Sequence, residues 1–167
     1  MAMTLDEYIV WLEATIAKME YGAVAMADAM AEHLAERVAD DTLRRNTHAP
    51  GAYHRAKPGD PPAYASGKLA NAMYWTPASG ALRATAMVGN SDKRARVFEF
   101  GGCVLKPTQG THLGWKDTGR ADNPSGIWRH RQVEGREHPF LQPTVQEAID
   151  DGSLQRVAIA AFMPYDP

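Results

Sequence analysis

The sequence predicts a single α+β domain over residues 1–167. We expect a long N-terminal helix, a small antiparallel β-sheet with a hairpin and a long loop or arm, and a C-terminal helix packed on the sheet. Three observations indicate this fold class. Apolar residues recur every three or four positions over residues 4–45, two alternating segments flank Ser79-Gly80, and Pro143 opens a second segment of helical period. A length of 167 residues with 44% hydrophobic residues is typical of one globular domain.

The longest predicted element is a helix over residues 4–45. Thr4 can cap its first turn, and Glu7 stands three residues later as the reciprocal partner. Gly22 is the weak point of the segment, since glycine costs about 1 kcal/mol relative to alanine in a helix. An unbroken helix of this length would span roughly 63 Å, so we expect it to bend near Gly22 or to project and pack on another subunit. Its apolar stripe comprises Leu5, Tyr8, Leu12, Ile16, Met19, Ala23, Met26, Met30, Leu34 and Val38.

Residues 46–65 are rich in proline and glycine and are predicted to form a rigid elbow. In the stretch "PGDPPAYASGKL" (58–69), three prolines fix the backbone angle φ and two glycines allow tight bends. Ser66 is then expected to cap a short helical turn through Leu69. The turn leads into a β-hairpin body over residues 66–102, with strands at 71–78 and 81–90 and a short helix or strand at 92–101.

Residues 103–136 show no clear periodicity and are predicted to form an extended arm. Long segments of this kind usually act as arms or binding loops, and tryptophan in them usually packs on another surface. Residues 1–45 carry nine acids and four bases, whereas residues 103–138 carry six bases and four acids. The two segments could attract each other within one chain or between neighbouring subunits, or they could simply be solvated faces.

Residues 137–163 are predicted to form the C-terminal helix. Pro143 fits the first turn, where its missing N–H has no cost. We expect Gly152 to interrupt the helix and Pro164 to end it. Its apolar side comprises Val145, Ala148, Ile149, Val157, Ile159 and Phe162.

No group of residues predicts catalysis, a cofactor or a metal. The single cysteine excludes an internal disulfide, and the six histidines form neither HxxxH nor HExxH. The "SGK" at 66–68 lacks the preceding glycine of a phosphate loop, because Pro62 stands at that position. No signal peptide or membrane span is predicted. Glu99 is either a catalytic acid or a structural carboxylate that accepts backbone or arginine hydrogen bonds.

Three pieces of the sequence follow one another in an order that is informative. They are the elbow "PGDPPAYASGKL" (58–69), "VFEFGG" (97–102) and "EHPFLQPTVQEAI" (137–149). In this order they resemble the phage HK97 gp10-like family, the neck or tail-completion proteins of long-tailed phages. The resemblance covers roughly residues 55–150 and follows a long helix, as in the family. The chain departs from the family pattern at Gly102, His138 and Thr144, where threonine, arginine and alanine are usual.

The resemblance implies a structural role, with no reaction and no cofactor. Such proteins form a homo-oligomeric ring, expected to be a hexamer, in the neck of the virion. The ring would join the head-closure or connector protein to the tail terminator or the tail-tube protein. DNA would pass through without sequence-specific binding, there would be no membrane partner, and assembly would occur in the host cytoplasm. The residues that we predict at subunit or partner interfaces are Glu99, Trp115, Trp128, Arg129 and Phe140.

Three alternative functions stay open. A tail terminator would cap the tail tube and set its length. A small hydrolase would use Glu99 with His112 or His138. A toxin-like or DNA-binding module would use the basic arm, where Arg129-His130-Arg131 could contact phosphate.

Overall fold

The computed structural model describes residues 3–45, 59–62, 67–102, 104–106, 113–116, 127–130, 133–134 and 137–166. Over these residues the chain has the predicted α+β fold, with a long N-terminal helix, an antiparallel hairpin and C-terminal helices. The predicted elbow, apart from residues 59–62, and the predicted cap at Ser66 lie outside the described residues. The helices are α1 (Leu5–Arg37), α2 (Lys68–Asn71), α3 (Ala95–Phe100), α4 (Leu141–Asp150) and α5 (Ser153–Phe162).

Helix α1 begins with the predicted capping box, and helical structure continues beyond its last residue. The Thr4 hydroxyl accepts a hydrogen bond from the Glu7 backbone N–H at 3.3 Å, and the Glu7 carboxylate accepts one from the Thr4 N–H at 2.8 Å. The helix is continuous through Gly22 and carries on from Val38 to Arg44 as a π-helix. Helical structure therefore extends over the predicted length without a break at the glycine.

Gly22 has a packing role on α1. It is buried, and a Cβ added there would lie 2.5 Å from Cε2 of the Phe162 ring. The missing side chain thus lets the end of α5 approach the helix backbone. The α-helix is continuous at Gly22, and both outcomes expected for the long helix, a bend near Gly22 and packing on another subunit, stay predictions.

The hairpin consists of β1 (Met73–Ser79) and β2 (Thr85–Asn90), which pair in antiparallel fashion. The register shifts between Thr76 and Ser79. The hairpin connection begins at Gly80, which has a φ of 113°, but it is longer than the predicted turn at Ser79-Gly80, because Ser79 still pairs in β1 and β2 begins at Thr85 instead of residue 81. The hairpin packs on α1. Ala86 and Val88 are half-buried on that side, whereas Met87 is exposed on the other, which confirms the predicted alternation.

The C-terminal segment forms two helices that meet at Gly152, whose φ of 69° ends the first helix as predicted. A short 3₁₀ helix, Met163–Tyr165, follows. The prediction that this segment packs on the sheet is wrong, because α5 packs along α1 instead. The physical reason is the close approach that Gly22 permits to Phe162. Helix α1 therefore packs against both the hairpin and α5.

The main core lies at the C-terminal end of the long helix. Its buried members are Val38, Ala39, Leu43, Ala70, Ala95 and Phe140, and Leu69, Met73, Phe98 and Leu141 pack against them. This core brings the π-helix together with α2, α3 and the start of α4. It is small, because half of its buried members are alanine.

The described residues of the predicted arm form four short strands. Strand β3 (Val104–Leu105) pairs with β6 (Val133–Glu134), and β4 (Leu113–Lys116) pairs with β5 (Ile127–His130), both antiparallel. These strands were not predicted from the sequence. Segments of two to four residues are too short for an alternating pattern to stand out among glycines and prolines.

Candidate assembly surfaces

The three pieces of sequence that carry the family resemblance meet in the structure. We call their meeting point the junction; it comprises residues 59–62, 97–102 and 137–142. The Gly59 N–H donates to the Glu137 carbonyl at 3.3 Å, and the His138 N–H donates to the Phe98 carbonyl at 2.6 Å. His138 Nδ1 lies 3.0 Å from the Asp60 carbonyl oxygen. Segments far apart in sequence are therefore joined through backbone groups.

Glu99 is the central side chain of the junction. Its Oε2 accepts hydrogen bonds from the N–H groups of Phe140 and Leu141 at 2.9 and 3.0 Å, and its Oε1 accepts one from Gln142 at 2.9 Å. Helix α4 has no side-chain cap of its own at Phe140. The N–H groups of a first helical turn lack intrahelical partners and carry partial positive charge. Glu99 thus caps α4 from another element, which confirms its interpretation as a structural carboxylate with backbone partners.

Phe140 lies in the core and not on the surface. Phe140 is 2% exposed and contacts the cluster formed by the π-helix, α2 and α3. Its carbonyl accepts a hydrogen bond at 2.7 Å from the hydroxyl of Thr144, which is also buried. The structure corrects the predicted interface role of Phe140, because the residue has almost no surface to offer a partner.

The arm strands bring the other predicted interface residues to one ribbon. In the register of β4 and β5, Trp115 stands opposite Trp128, and Arg129 stands opposite Gly114. The register places the backbones of these residues next to one another. The role of Trp115, Trp128 and Arg129 at an interface stays a prediction.

A polar cluster joins α1 to the turn between α4 and α5. Arg37 Nη1 donates to the Asp151 carboxylate at 2.7 Å and to the Ser153 hydroxyl at 2.8 Å, and His33 Nε2 lies 3.2 Å from that hydroxyl. The Ser153 backbone N–H and then the Arg37 guanidinium lower the pKa of Asp151 to about 2. Serine, histidine and aspartate are the residue types of a nucleophilic triad. Here, however, the aspartate contacts arginine and the serine backbone, so the cluster serves to fasten α1 to the turn.

The N-terminal half of α1 exposes a row of large apolar side chains. We call this row the bare stripe; its members share one face at 100° per residue and are 40–73% exposed: Leu5, Tyr8, Ile9, Leu12, Ile16 and Met19. The same face continues through Ala23, Met26, Met30 and Leu34, which line a groove with the hairpin and are half-buried. One face of one helix is therefore partly covered in its second half and bare in its first.

The groove between α1 and β2 is the second unfilled apolar surface, and we call it the helix–hairpin groove. Its volume is about 450 Å³. Leu82, at its rim, is 57% exposed, and Arg83 beside it makes no ion pair with any described residue. Its lining residues are Ala23, Met26, Ala27, Met30, Ala31, Leu34, Leu82, Arg83, Ala84, Thr85, Ala86 and Val88.

The described residues also bear on two other kinds of site, a metal site and a membrane span. No cluster of three or more histidine, cysteine, aspartate or glutamate side chains there could hold a metal ion. No helix in that part of the chain combines the length and apolar character needed to cross a membrane. His112, which the hydrolase alternative uses, lies outside the described residues.

Comparison of the chain with family models, with curated proteins and with solved structures gave no match.

Proposed function

We propose that the chain is a structural subunit of a tailed phage that forms a ring at the head–tail junction. The observation that carries this proposal is an excess of apolar surface. Among the described residues, the large apolar side chains buried in the chain are Val38, Leu43 and Phe140, whereas eighteen large hydrophobic residues are exposed. Such a chain gains stability when other subunits cover its surface.

The size of the exposed surface fits a subunit interface. Nine large apolar residues between Leu5 and Tyr21 are 40–73% exposed. With roughly 150–250 Å² for each aromatic side chain, they expose on the order of 800 Å² of surface. The nine residues face several sides of the helix, so more than one neighbouring surface is needed to cover them; a stable interface takes about 800 Å² from each partner.

The junction supports the family resemblance on which the neck position rests. The residues that carry the resemblance are hydrogen-bonded to one another through Gly59, Phe98, Glu99 and His138. A family pattern made of three separated pieces has a physical basis if the pieces hold one structural unit together. The junction also sets how the hairpin body meets α4, and a ring subunit needs fixed angles between its surfaces.

The charge of the chain is compatible with DNA passing through a ring. Its formal net charge is −2. A strongly basic lumen would bind phosphates tightly and oppose sliding. The small net charge supports a passive channel and gives no reason to expect sequence-specific binding.

Electron microscopy of particles assembled without this chain tests the proposal. We expect filled heads and tails of normal length that fail to join, with joining restored by the wild-type chain. Overlong tails would favour the terminator alternative. Infectious particles of normal appearance would refute both structural roles.

A further inference from the structure

We infer that the bare stripe of one copy docks into the helix–hairpin groove of the next copy, as a head-to-tail contact. This inference rests on the proposed ring role and names the two surfaces that neighbouring subunits bring together. The occupant of the groove is thus a second copy of this same chain, through the first half of its α1.

The donor surface has the shape of an inserting helix. Leu5, Tyr8, Ile9, Leu12, Ile16 and Met19 form one continuous row, and each is at least 40% exposed. Residues spaced in this way are the anchors with which an amphipathic helix occupies an apolar groove. Trp11, on the flank of the row, is 50% exposed and stacks on Tyr8, with 5.8 Å between the ring centroids.

The acceptor surface is complementary in chemistry. Alanines at positions 23, 27 and 31 line the helical wall of the groove, and Ala84 and Ala86 line the hairpin wall. Small side chains let a second helix come close to the backbone, as helix packing at 8–10 Å requires. Charge agrees as well: residues 5–21 carry four acids and one base, whereas Arg83 is the charged residue of the groove lining.

A chain cannot fill its own groove with its own stripe. Both surfaces lie on the continuous helix α1, and Leu12 is about 27 Å from Met30 at 1.5 Å per residue. The two surfaces can meet only between molecules. Because donor and acceptor are different surfaces, the contact is heterologous, and repetition closes a ring if the rotation between copies closes.

Cysteine cross-linking tests the contact directly. Cys103 is first replaced by serine, and Leu12→Cys and Leu82→Cys are introduced into the same chain. A short bifunctional thiol cross-linker should then give a ladder of covalent oligomers on a denaturing gel. Each single-cysteine variant should stay monomeric on that gel, since each then supplies only one side of the contact.

Ala14 provides the matched control, because it is exposed on the opposite face of the same helical turn. Ala14→Cys combined with Leu82→Cys should give no ladder. In parallel, Leu12→Asp should weaken self-association about 10- to 100-fold with the helical circular dichroism unchanged, whereas Ala14→Asp should not weaken it.

Other cross-linking results would overturn the inference. Dimers from Leu12→Cys alone would show stripe-to-stripe pairing, and equal ladders from the Leu12 and Ala14 variants would show non-specific collision. If no ladder forms while the wild-type chain still joins heads to tails, the contact is wrong and the proposed function stands. If the ladder forms but particles lacking the chain are normal, the contact stands and the proposed function fails.

Discussion

Replacement of Glu99 by alanine should destabilise the chain through the loss of the cap on α4. The carboxylate accepts three backbone hydrogen bonds, of which those from Phe140 and Leu141 are partly buried and that from Gln142 is exposed. A hydrogen bond to a charged group contributes about 1.5–3 kcal/mol at most sites. Water can replace the exposed hydrogen bond from Gln142, so the two partly buried hydrogen bonds determine how much the free energy of unfolding falls. We expect a loss of about 3 kcal/mol in the free energy of unfolding.

Glu99→Gln should cost less, about 1–2 kcal/mol. Its amide oxygen can take the place of Oε2 and keep the bonds from Phe140 and Leu141. Its NH₂ group then faces the Gln142 N–H, so one bond and the favourable charge at the helix N-terminus are lost. Glu32→Gln is the matched control, because Glu32 is exposed on α1 and makes no hydrogen bond or ion pair with any described residue; it should change stability by about 0.5 kcal/mol or less.

Urea unfolding followed by circular dichroism measures these differences, at one protein concentration low enough to keep self-association constant. Hydrogen exchange at the amides of Phe140, Leu141 and Gln142 gives a local readout, and exchange should be faster in Glu99→Ala. Equal stability of Glu99→Ala and Glu32→Gln, with unchanged exchange at these amides, would refute the capping role.

Two further predictions follow from contacts of α1. Gly22→Ala should destabilise the chain by about 1 kcal/mol or more, because strain at the Phe162 ring outweighs a gain of about 1 kcal/mol in helix propensity. In a Phe162→Leu background the same change should destabilise the chain less. If urea unfolding shows that Gly22→Ala lowers the free energy of unfolding equally in both backgrounds, the contact with Phe162 is contradicted. The pKa of Asp151 is lowered to about 2 by the Ser153 N–H and the Arg37 guanidinium. Ionised Asp151 therefore stabilises the folded chain above about pH 4, which is the pKa of aspartate in the unfolded chain, and this contribution is lost as the pH falls toward 2. Asp151→Asn should flatten this part of the stability–pH profile, and an unchanged profile would contradict the assignment.

Local signals predicted much of the backbone. The Thr4–Glu7 capping box, the hairpin connection that begins at Gly80 and the break at Gly152 each depend on residues within a few positions of one another. Such features can be read from a sequence because the physical cause is local. The alternation in β2 was predicted for the same reason.

Features that depend on distant partners were not predictable. Glu99 finds its partners more than forty residues away, so the sequence left its role open between catalysis and structure. An apolar residue such as Phe140 gives the same sequence signal whether it lies in a core or at an interface. Helical periodicity likewise shows that α5 has an apolar face and leaves open whether the sheet or α1 covers it. The π-helix after Arg37 spans only seven residues, Val38–Arg44, which is too short for a change of apolar spacing to stand out in the sequence.

The mass of the purified wild-type chain in solution, measured by light scattering over a range of concentrations, tests the central claim most directly. The claim is that the bare stripe on α1 is a subunit interface. It predicts a defined multiple of the chain mass, with Leu12→Asp shifted toward the monomer and Ala14→Asp unchanged. A wild-type chain that stays monomeric at every concentration, alone and with the proposed tail-tube partner present, would contradict it.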